Sequence, residues 1–216
     1  FIKLTSWREF VPTDIAAPLP SYGLVMEGQK VLLLHVRIRA ANRDAAGVRK
    51  MLREDLRFWR TVLESSDLLI SKMIATAAIK RHFKLGADVF RELPTELVTE
   101  ALPSDWRAAI TDAERSMQRV WIGEWLFTSG SIRDLDRELS GTLVAEDSIA
   151  GRTFESLSGP FFQPQDTINL YADYYSRAAE LVEGVPLADY EAAANRVTEL
   201  SIVATREAFP PRSLYN

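Results

Sequence analysis

One carboxyl group lies among aromatic side chains at helical spacing, where it could act as a general acid. From Trp106 onward, alternating steps of four and three residues select apolar positions and then reach Glu124. Trp121 and Trp125 flank this residue, and Phe127 follows it. Because these rings exclude water, they favour the protonated, proton-donating form of a carboxyl group. An ion pair or a frayed helix end is the simpler explanation of the same pattern.

A histidine and an aspartate could supply half of a catalytic triad. His35 lies in the most apolar stretch of the first predicted helix, and Asp55 borders the apolar stripe of the second. If these helices run antiparallel about residue 43, Asp55 lies about one turn, roughly 5 Å, from the position opposite His35. We therefore expect a His35–Asp55 hydrogen bond. No serine occupies a Gly-x-Ser-x-Gly turn, so a structural role explains the pair better than a nucleophilic site.

A basic stripe runs beside the apolar stripe of the second helix. Its members are Arg49, Arg53, Arg57 and Arg60. Residues 30–91 contain 14 Lys and Arg against 6 Asp and Glu, although the whole chain has a net charge of −4. Such a face can bind an acidic protein, a peptide or lipid headgroups, and a solvated face with weak helix pairs is the simpler alternative. We expect no nucleic-acid partner, because the chain is acidic and lacks a recognition motif.

The composition excludes several kinds of site. The chain has no cysteine and two histidines, which rules out disulfides, thiolate metal sites, cysteine nucleophiles and multi-histidine metal centres. Phosphate-binding loops, dinucleotide fingerprints and HExxH motifs are also absent. We therefore expect neither a metal nor a cofactor. No apolar run is long enough for a membrane span.

Helices must position these side chains, because no segment alternates with period two for long enough to form a strand. Residues 1–22 are rich in proline and predict an extended entry segment. Asp44 is the expected N-cap of the second helix, and Gly86 is the expected C-cap of the third. The predicted helices cover about 23–41, 45–64, 67–85, 95–101, 105–127, 131–140, 166–183 and 187–209.

Short turns between the first three helices make them antiparallel neighbours. The sequence therefore predicts an all-α fold, either an irregular multi-helix bundle or a short α-solenoid of antiparallel helical hairpins. Residues 23–216 are expected to form a single helical domain. The hairpin at 23–64 is weakly similar to a tetratricopeptide hairpin, but its consensus does not recur at a fixed period.

Three segments resemble a group of uncharacterised proteobacterial proteins. They are PLPSYGLVMEGQKVLLLHV at 18–36, LREDLRFWRTVLESSDLLISKMIA at 52–75 and PFFQPQDTINLYADY at 160–174. Proteins of that group carry an N-terminal membrane anchor ahead of a helical region. The resemblance implies a cell-envelope location, on the periplasmic side of the inner membrane, with any anchor upstream of this sequence. It implies no activity, cofactor or catalytic residue.

Two functions follow from these patterns. The first is a non-catalytic helical scaffold or adaptor of the cell envelope, which binds a protein, a peptide or a lipid headgroup through the basic stripe. The second is a cell-wall or glycan hydrolase with Glu124 as general acid, assisted by Asp55 or His35. Because no complete catalytic set occurs and the motifs of soluble lytic transglycosylases are absent, the first is favoured.

Overall fold

A computed structural model describes residues 6–13, 21–145 and 164–208. Every regular element in these ranges is helical, which confirms the predicted all-α fold. The α-helices are α1 (Tyr22–Ala41), α2 (Ala45–Ser65), α3 (Leu69–Glu92), α4 (Thr95–Ala101), α5 (Asp112–Arg115), α6 (Gln118–Ala145), α7 (Pro164–Val182) and α8 (Tyr190–Ala208). Two 3₁₀ turns are η1 (Ser104–Arg107) and η2 (Leu187–Asp189). Residues 6–13 of the entry segment contain no helix.

The helices group into two compact units. The first contains α1 to α5 with residues 6–9, and the second contains α6 to α8 with residues 10–13. In the first unit α1, α2 and α3 pack against one another, and α4 and α5 pack on α2. In the second unit α7 packs on both α6 and α8. The sequence predicts a single domain over residues 23–216. The grouping into two units does not show whether each unit folds independently, so this stays a prediction.

The turn between α1 and α2 forms as the sequence predicts. The carboxylate of Asp44 accepts a hydrogen bond from the backbone N–H of Gly47 at 2.8 Å, so Asp44 caps α2. Arg43 adopts a left-handed backbone conformation with φ 57°. This tight reversal leaves α1 and α2 as antiparallel neighbours, and it fixes which residues of the two helices lie opposite each other.

The prediction that Gly86 ends α3 is wrong. The helix continues to Glu92, and Gly86 is buried inside it. A Cβ atom at this position would lie 2.6 Å from two ring carbons of Trp106. The same indole ring packs edge-on against Phe83 and Phe90. Glycine is therefore needed here to admit a ring, and not to form a left-handed turn.

The predicted helix over 105–127 is divided. After η1 the chain restarts at Thr111, whose hydroxyl accepts from the N–H of Glu114 at 3.2 Å. The carboxylate of Glu114 accepts in return from the N–H of Thr111 at 2.7 Å. This reciprocal pair is a capping box, and it starts the new helical turn α5. A single helix, α6, then runs from Gln118 across the predicted short helix at 131–140.

Helix α6 passes without a break through residues 128–130, which separate the predicted helices at 105–127 and 131–140. The hydroxyl of Ser129 donates to the carbonyl oxygen of Trp125 at 2.7 Å, and Ser131 makes the equivalent bond nearby. These side chains thus bond inside a helix instead of capping one. A Cβ atom at Gly130 would collide with the backbone of Thr13. The glycine lets the entry segment pack closely on α6.

Glu9 anchors residues 6–9 within the first unit. Its carboxylate accepts from the backbone N–H groups of Asp67 and Leu68, at 2.8 and 3.0 Å, where α3 begins. It also accepts from the hydroxyls of Tyr22 and Ser71. An anion at this end of a helix pairs N–H groups that have no intrahelical partner. Burial raises the pKa of Tyr22 to about 12, and the charge of Glu9 adds to the effect.

Gly86→Ala should destabilise the first unit by about 1 to 3 kcal/mol, because the added methyl group displaces the Trp106 ring. Urea unfolding followed by circular dichroism measures the change. Gly23→Ala is the matched control, since nothing lies within 4 Å of a Cβ atom there. That variant should be neutral or more stable by up to about 1 kcal/mol. Equal stabilities of the two variants would contradict the close approach of the ring.

Tyr22 should make stability fall at alkaline pH. Its pKa is raised on folding from 10.0 to about 12. A raised pKa stabilises the fold fully below the unfolded value, and this contribution is lost as the pH rises through the folded value. Between about pH 10 and 12, the thermal midpoint of Tyr22→Phe should therefore decrease less than that of the unmodified protein. Tyr190→Phe, at an exposed position, should keep the full decrease.

Candidate functional site

The first unit encloses an ionisable side chain, Asp55, which is 1 % exposed. Its Oδ1 accepts from the indole N–H of Trp59 at 3.1 Å, within α2. Its Oδ2 accepts from the amide nitrogen of Gln29 on α1 at 3.2 Å, and it lies 2.8 Å from Nδ1 of His82 on α3. A buried carboxylate is stable only when donors replace its lost water, and here three donors do so.

The second partner of His82 identifies its tautomer. Nε1 of Trp106 lies 2.8 Å from Nε2 of His82. An indole nitrogen can only donate, so Nε2 must carry the lone pair. In the neutral ring the proton is then on Nδ1, which donates to Asp55. The imidazole is fully buried, and both of its nitrogens are bonded.

Gln29 extends this cluster towards a cation. Its amide nitrogen also donates to the carbonyl oxygen of Ala78 at 3.0 Å, and its Oε1 accepts from the guanidinium of Arg81 at 3.4 Å. Helices α1, α2 and α3 and the turn η1 thus each contribute a side chain to one hydrogen-bonded group. We call this group the buried polar centre; its members are Gln29, Asp55, Trp59, His82 and Trp106.

The prediction of a hydrogen bond between His35 and Asp55 is wrong, because His35 is exposed on α1. The buried positions of that helix are Gln29, Leu32, Leu33, Val36 and Ala40. Gln29 is therefore the residue of α1 that reaches Asp55. The pairing still follows the predicted antiparallel arrangement of α1 and α2, but the polar partner lies nearly two turns closer to the start of α1.

Sequence reasoning missed His82, although a signal for it is present. Its neighbours on the buried face of α3 are Ser71, Ala75, Ala78, Gly86 and Val89, at steps of three and four residues. His82 falls on this face as well. A helix that ends at Gly86 would place His82 in its last turn, where the helix dipole favours cations. When the helix is continued through Gly86, these buried positions form one stripe that includes His82.

The buried polar centre has the parts of a base oriented by a carboxylate, but its geometry is closed. In a hydrolase that uses such a pair, the second imidazole nitrogen faces the nucleophile. Here Nε2 of His82 is occupied by Trp106 and is shielded from solvent. Asp55 is likewise buried and bonded to three donors. The arrangement therefore supports a structural role for Asp55 and gives no support to a catalytic one.

Glu124 lies on α6 in the second unit, whereas the other two candidate catalytic residues lie in the first. Its side chain is half-buried. Burial raises the pKa of the neighbouring Tyr175, and the charge of Glu124 adds to this effect. The Tyr175 ring lies 5.8 Å from Trp121 and 5.1 Å from Tyr174, measured between centroids. These rings pack on one another as core aromatics do. The general-acid role of Glu124 stays a prediction.

Arg60, the last member of the predicted basic stripe, bonds to the segment that follows η1. Its guanidinium contacts the carboxylate of Glu114 through two nitrogens, and it donates to the carbonyl oxygens of Ala108 and Ala109 at 3.3 and 2.7 Å. Burial acts to raise the pKa of Glu114, but the hydrogen bonds from Arg60 and Thr111 outweigh it, so this pKa lies below its usual value. Arg60 therefore fixes residues 108–114 on α2.

The other three arginines of the stripe are exposed along one line of α2. We call Arg49, Arg53 and Arg57 the arginine row. Within the ranges that the structure describes, no hydrogen bond or ion pair joins their side chains to another residue. Four residues of helix rise about 6 Å, so the row spans about 12 Å. At its end, Arg57 lines a cleft of about 510 Å³ between α2 and residues 105–114.

No protein-family model, curated protein or solved structure matches this chain. The similarity to envelope-anchored proteins therefore stays a prediction. Among residues 6–13, 21–145 and 164–208, no helix is both long and apolar enough to cross a membrane. The same residues contain no group of three or more His, Asp or Glu side chains placed to hold a metal ion. Function must be argued from the arginine row and the buried polar centre.

Asp55→Asn should destabilise the first unit by about 1 to 3 kcal/mol for each donor left unpaired. The asparagine NH₂ group would face either the Trp59 N–H or the donors of Gln29 and His82. His82 cannot change tautomer to compensate, because its Nε2 already accepts from Trp106. Urea unfolding measures the loss. Asp112→Asn, at a side chain that is 93 % exposed, is the control and should stay close to the unmodified stability.

Proposed function

We propose that this protein is a non-catalytic helical binding module that holds an acidic segment of a partner protein on the arginine row. The observation that supports the proposal is a contrast among arginines of the first unit. Several are neutralised internally, in the pairs Arg37–Glu92, Arg39–Asp44, Arg60–Glu114 and Arg91–Asp88. The arginine row has no such pair among the described residues, so its guanidinium groups remain open to a partner.

The spacing of the row suits carboxylates on an extended chain. A guanidinium group can bind a carboxylate through two parallel hydrogen bonds, with defined geometry. An extended peptide advances about 3.3 Å per residue, so acidic side chains two residues apart are about 6.6 Å apart. That distance is close to the rise between neighbouring arginines of the row. A segment with acidic residues at alternate positions can therefore contact all three.

The buried face of α2, which adjoins the row, keeps the row in place. Leu52, Asp55, Leu56 and Trp59 are buried there, and Asp55 bonds to side chains of α1 and α3. The backbone that carries the arginines is thus fixed before any partner arrives. Binding then orders only side chains, which lowers its entropic cost. This support favours a binding surface over a merely solvated face.

A protein segment is a better fit than a membrane or a nucleic acid. The row is one residue wide and follows a single helix, whereas binding to a flat anionic surface improves with cations spread over a face. The chain as a whole carries a net charge of −4. Together with the absence of a recognition motif, this overall charge argues against a nucleic acid.

The cell-envelope location belongs to the same proposal. It is supported by the resemblance of the segments at 18–36, 52–75 and 160–174, which implies an anchor upstream and a module on the periplasmic side of the inner membrane. In that setting the module would act as a scaffold or adaptor.

Reversing two charges of the row tests the binding surface. The probe is a fluorescent peptide with glutamate at alternate positions, measured by anisotropy at low salt. Arg49→Glu with Arg57→Glu should weaken binding at least about tenfold, because favourable contacts become repulsive. The matched control is Lys80→Glu with Lys84→Glu, at exposed positions of α3 with the same change in net charge. Similar losses in both double variants would show a net-charge effect and sink the proposal.

Photo-crosslinking tests the row in the native cell. A crosslinker at position 53 should give a discrete protein adduct that disappears when Arg49 and Arg57 are reversed. A crosslinker at Asp173, an exposed residue of the second unit, should give no such adduct. Tight binding to phosphatidylglycerol vesicles, with no adduct and no peptide binding, would instead assign the row to lipid headgroups.

A further inference from the structure

We propose that His82 is an acid-sensitive latch, which holds Trp106 on the first unit when neutral and releases it when protonated. The latch consists of two bonds on one imidazole ring: Nδ1 to Asp55 at 2.8 Å and Nε2 to Trp106 at 2.8 Å. Of the two histidines of the chain, His82 is fully buried and His35 is exposed. This inference does not depend on the proposed binding function.

The two bonds make the ring a switch. In the neutral ring Nδ1 donates and Nε2 accepts, which suits both partners. A second proton can be added only at Nε2. It would then face the N–H of Trp106 at 2.8 Å, so that two donors would meet without an acceptor. An unpaired buried donor is costly, and the indole must move for the protonated ring to be accommodated.

The charges around His82 allow the protonated ring to exist in the folded chain. From α2 the ring faces Asp55, whose carboxylate can pair with an imidazolium. From α1 the neutral side chain of Gln29 lies in the same polar centre. Its Oε1 accepts from the guanidinium of Arg81 on α3. From η1 it faces the indole of Trp106. The histidine can therefore remain bonded to Asp55 when protonated, while the bond to Trp106 is the one that must break.

The far end of the same segment is held by a contact that resists mild acid. Arg60 bonds to the carboxylate of Glu114 and to the carbonyl oxygens of Ala108 and Ala109. Because the pKa of Glu114 is below its usual value, this carboxylate stays ionised while a histidine becomes protonated. Release at Trp106 therefore lets the turn η1, residues 104–107, move while Arg60 still holds residues 108–114. Asp105, which lines the cleft beside Arg57, moves with this turn.

NMR of the ¹⁵N-labelled chain tests the latch directly. At pH 7.5 the imidazole of His82 should show the Nδ1–H tautomer, and the Trp106 indole N–H, assigned by its loss in Trp106→Phe, should show a hydrogen-bonded shift. When the pH is lowered from 7.5 to about 5, both signals should change with one midpoint. The helices should not unfold over this pH range, so their circular dichroism should stay constant.

His82→Gln provides a matched variant, because a glutamine side chain can accept from Trp106 and donate to Asp55 but does not titrate. In this variant the Trp106 signal should no longer respond to pH over that range. In His35→Gln the response should be unchanged.

Three results would overturn the latch. One is a Trp106 signal that stays constant while His82 titrates. Another is a His82 ring that takes up no proton before the helices unfold. The third is a pH response of Trp106 that persists in His82→Gln. If that variant does not fold, the comparison of the two signals in the unmodified protein decides by itself.

Discussion

The first unit is organised around a carboxylate that has no access to water. Moving an ion of this kind into a protein interior costs several kcal/mol unless its oxygens are bonded. Asp55 meets this requirement with N–H groups from Trp59, Gln29 and His82. Trp59 lies on the same helix as Asp55, whereas the bonds from Gln29 and His82 constrain the positions of α1 and α3. His82 also accepts a hydrogen bond from Trp106, which holds η1 against these helices.

Apolar packing alone would leave the registration of these helices less defined. One apolar cluster includes Leu33, Val36 and Leu52, and the other includes Phe58 and Trp59. Leucine, valine and alanine surfaces can pack in neighbouring registers with small changes in energy, whereas a hydrogen bond tolerates little displacement. Asp55 lies between the two clusters in sequence. A shift of α1 or α3 by one turn would leave its charge unpaired, which excludes that register.

The sequence predicted the elements of this unit better than their contacts. The bounds of α1, α2 and α4 and the capping role of Asp44 depend on neighbouring residues, and all were predictable. Gly86 and the histidine partner of Asp55 depend on residues that are distant in the chain. Gly86 could end a helix or admit a ring, and only Trp106 decides between these. Likewise, the stripe leading to Glu124 extends across the capping box at Thr111, where the helix is broken, so a regular spacing there does not define one face.

One helix connects the interior to the surface on which the proposed binding depends. Asp55 fixes the rotation of α2 about its axis, and this rotation turns Arg49, Arg53 and Arg57 outward while Arg60 bonds to Glu114. An arginine one turn further along the same stripe is thus neutralised because the segment from Pro103 to Glu114 folds back over it. Whether an arginine of α2 serves the fold or remains available to a partner is therefore decided by where that segment lies. Since Trp106 and His82 hold the start of the segment, the buried centre sets the extent of the basic face as well as its direction.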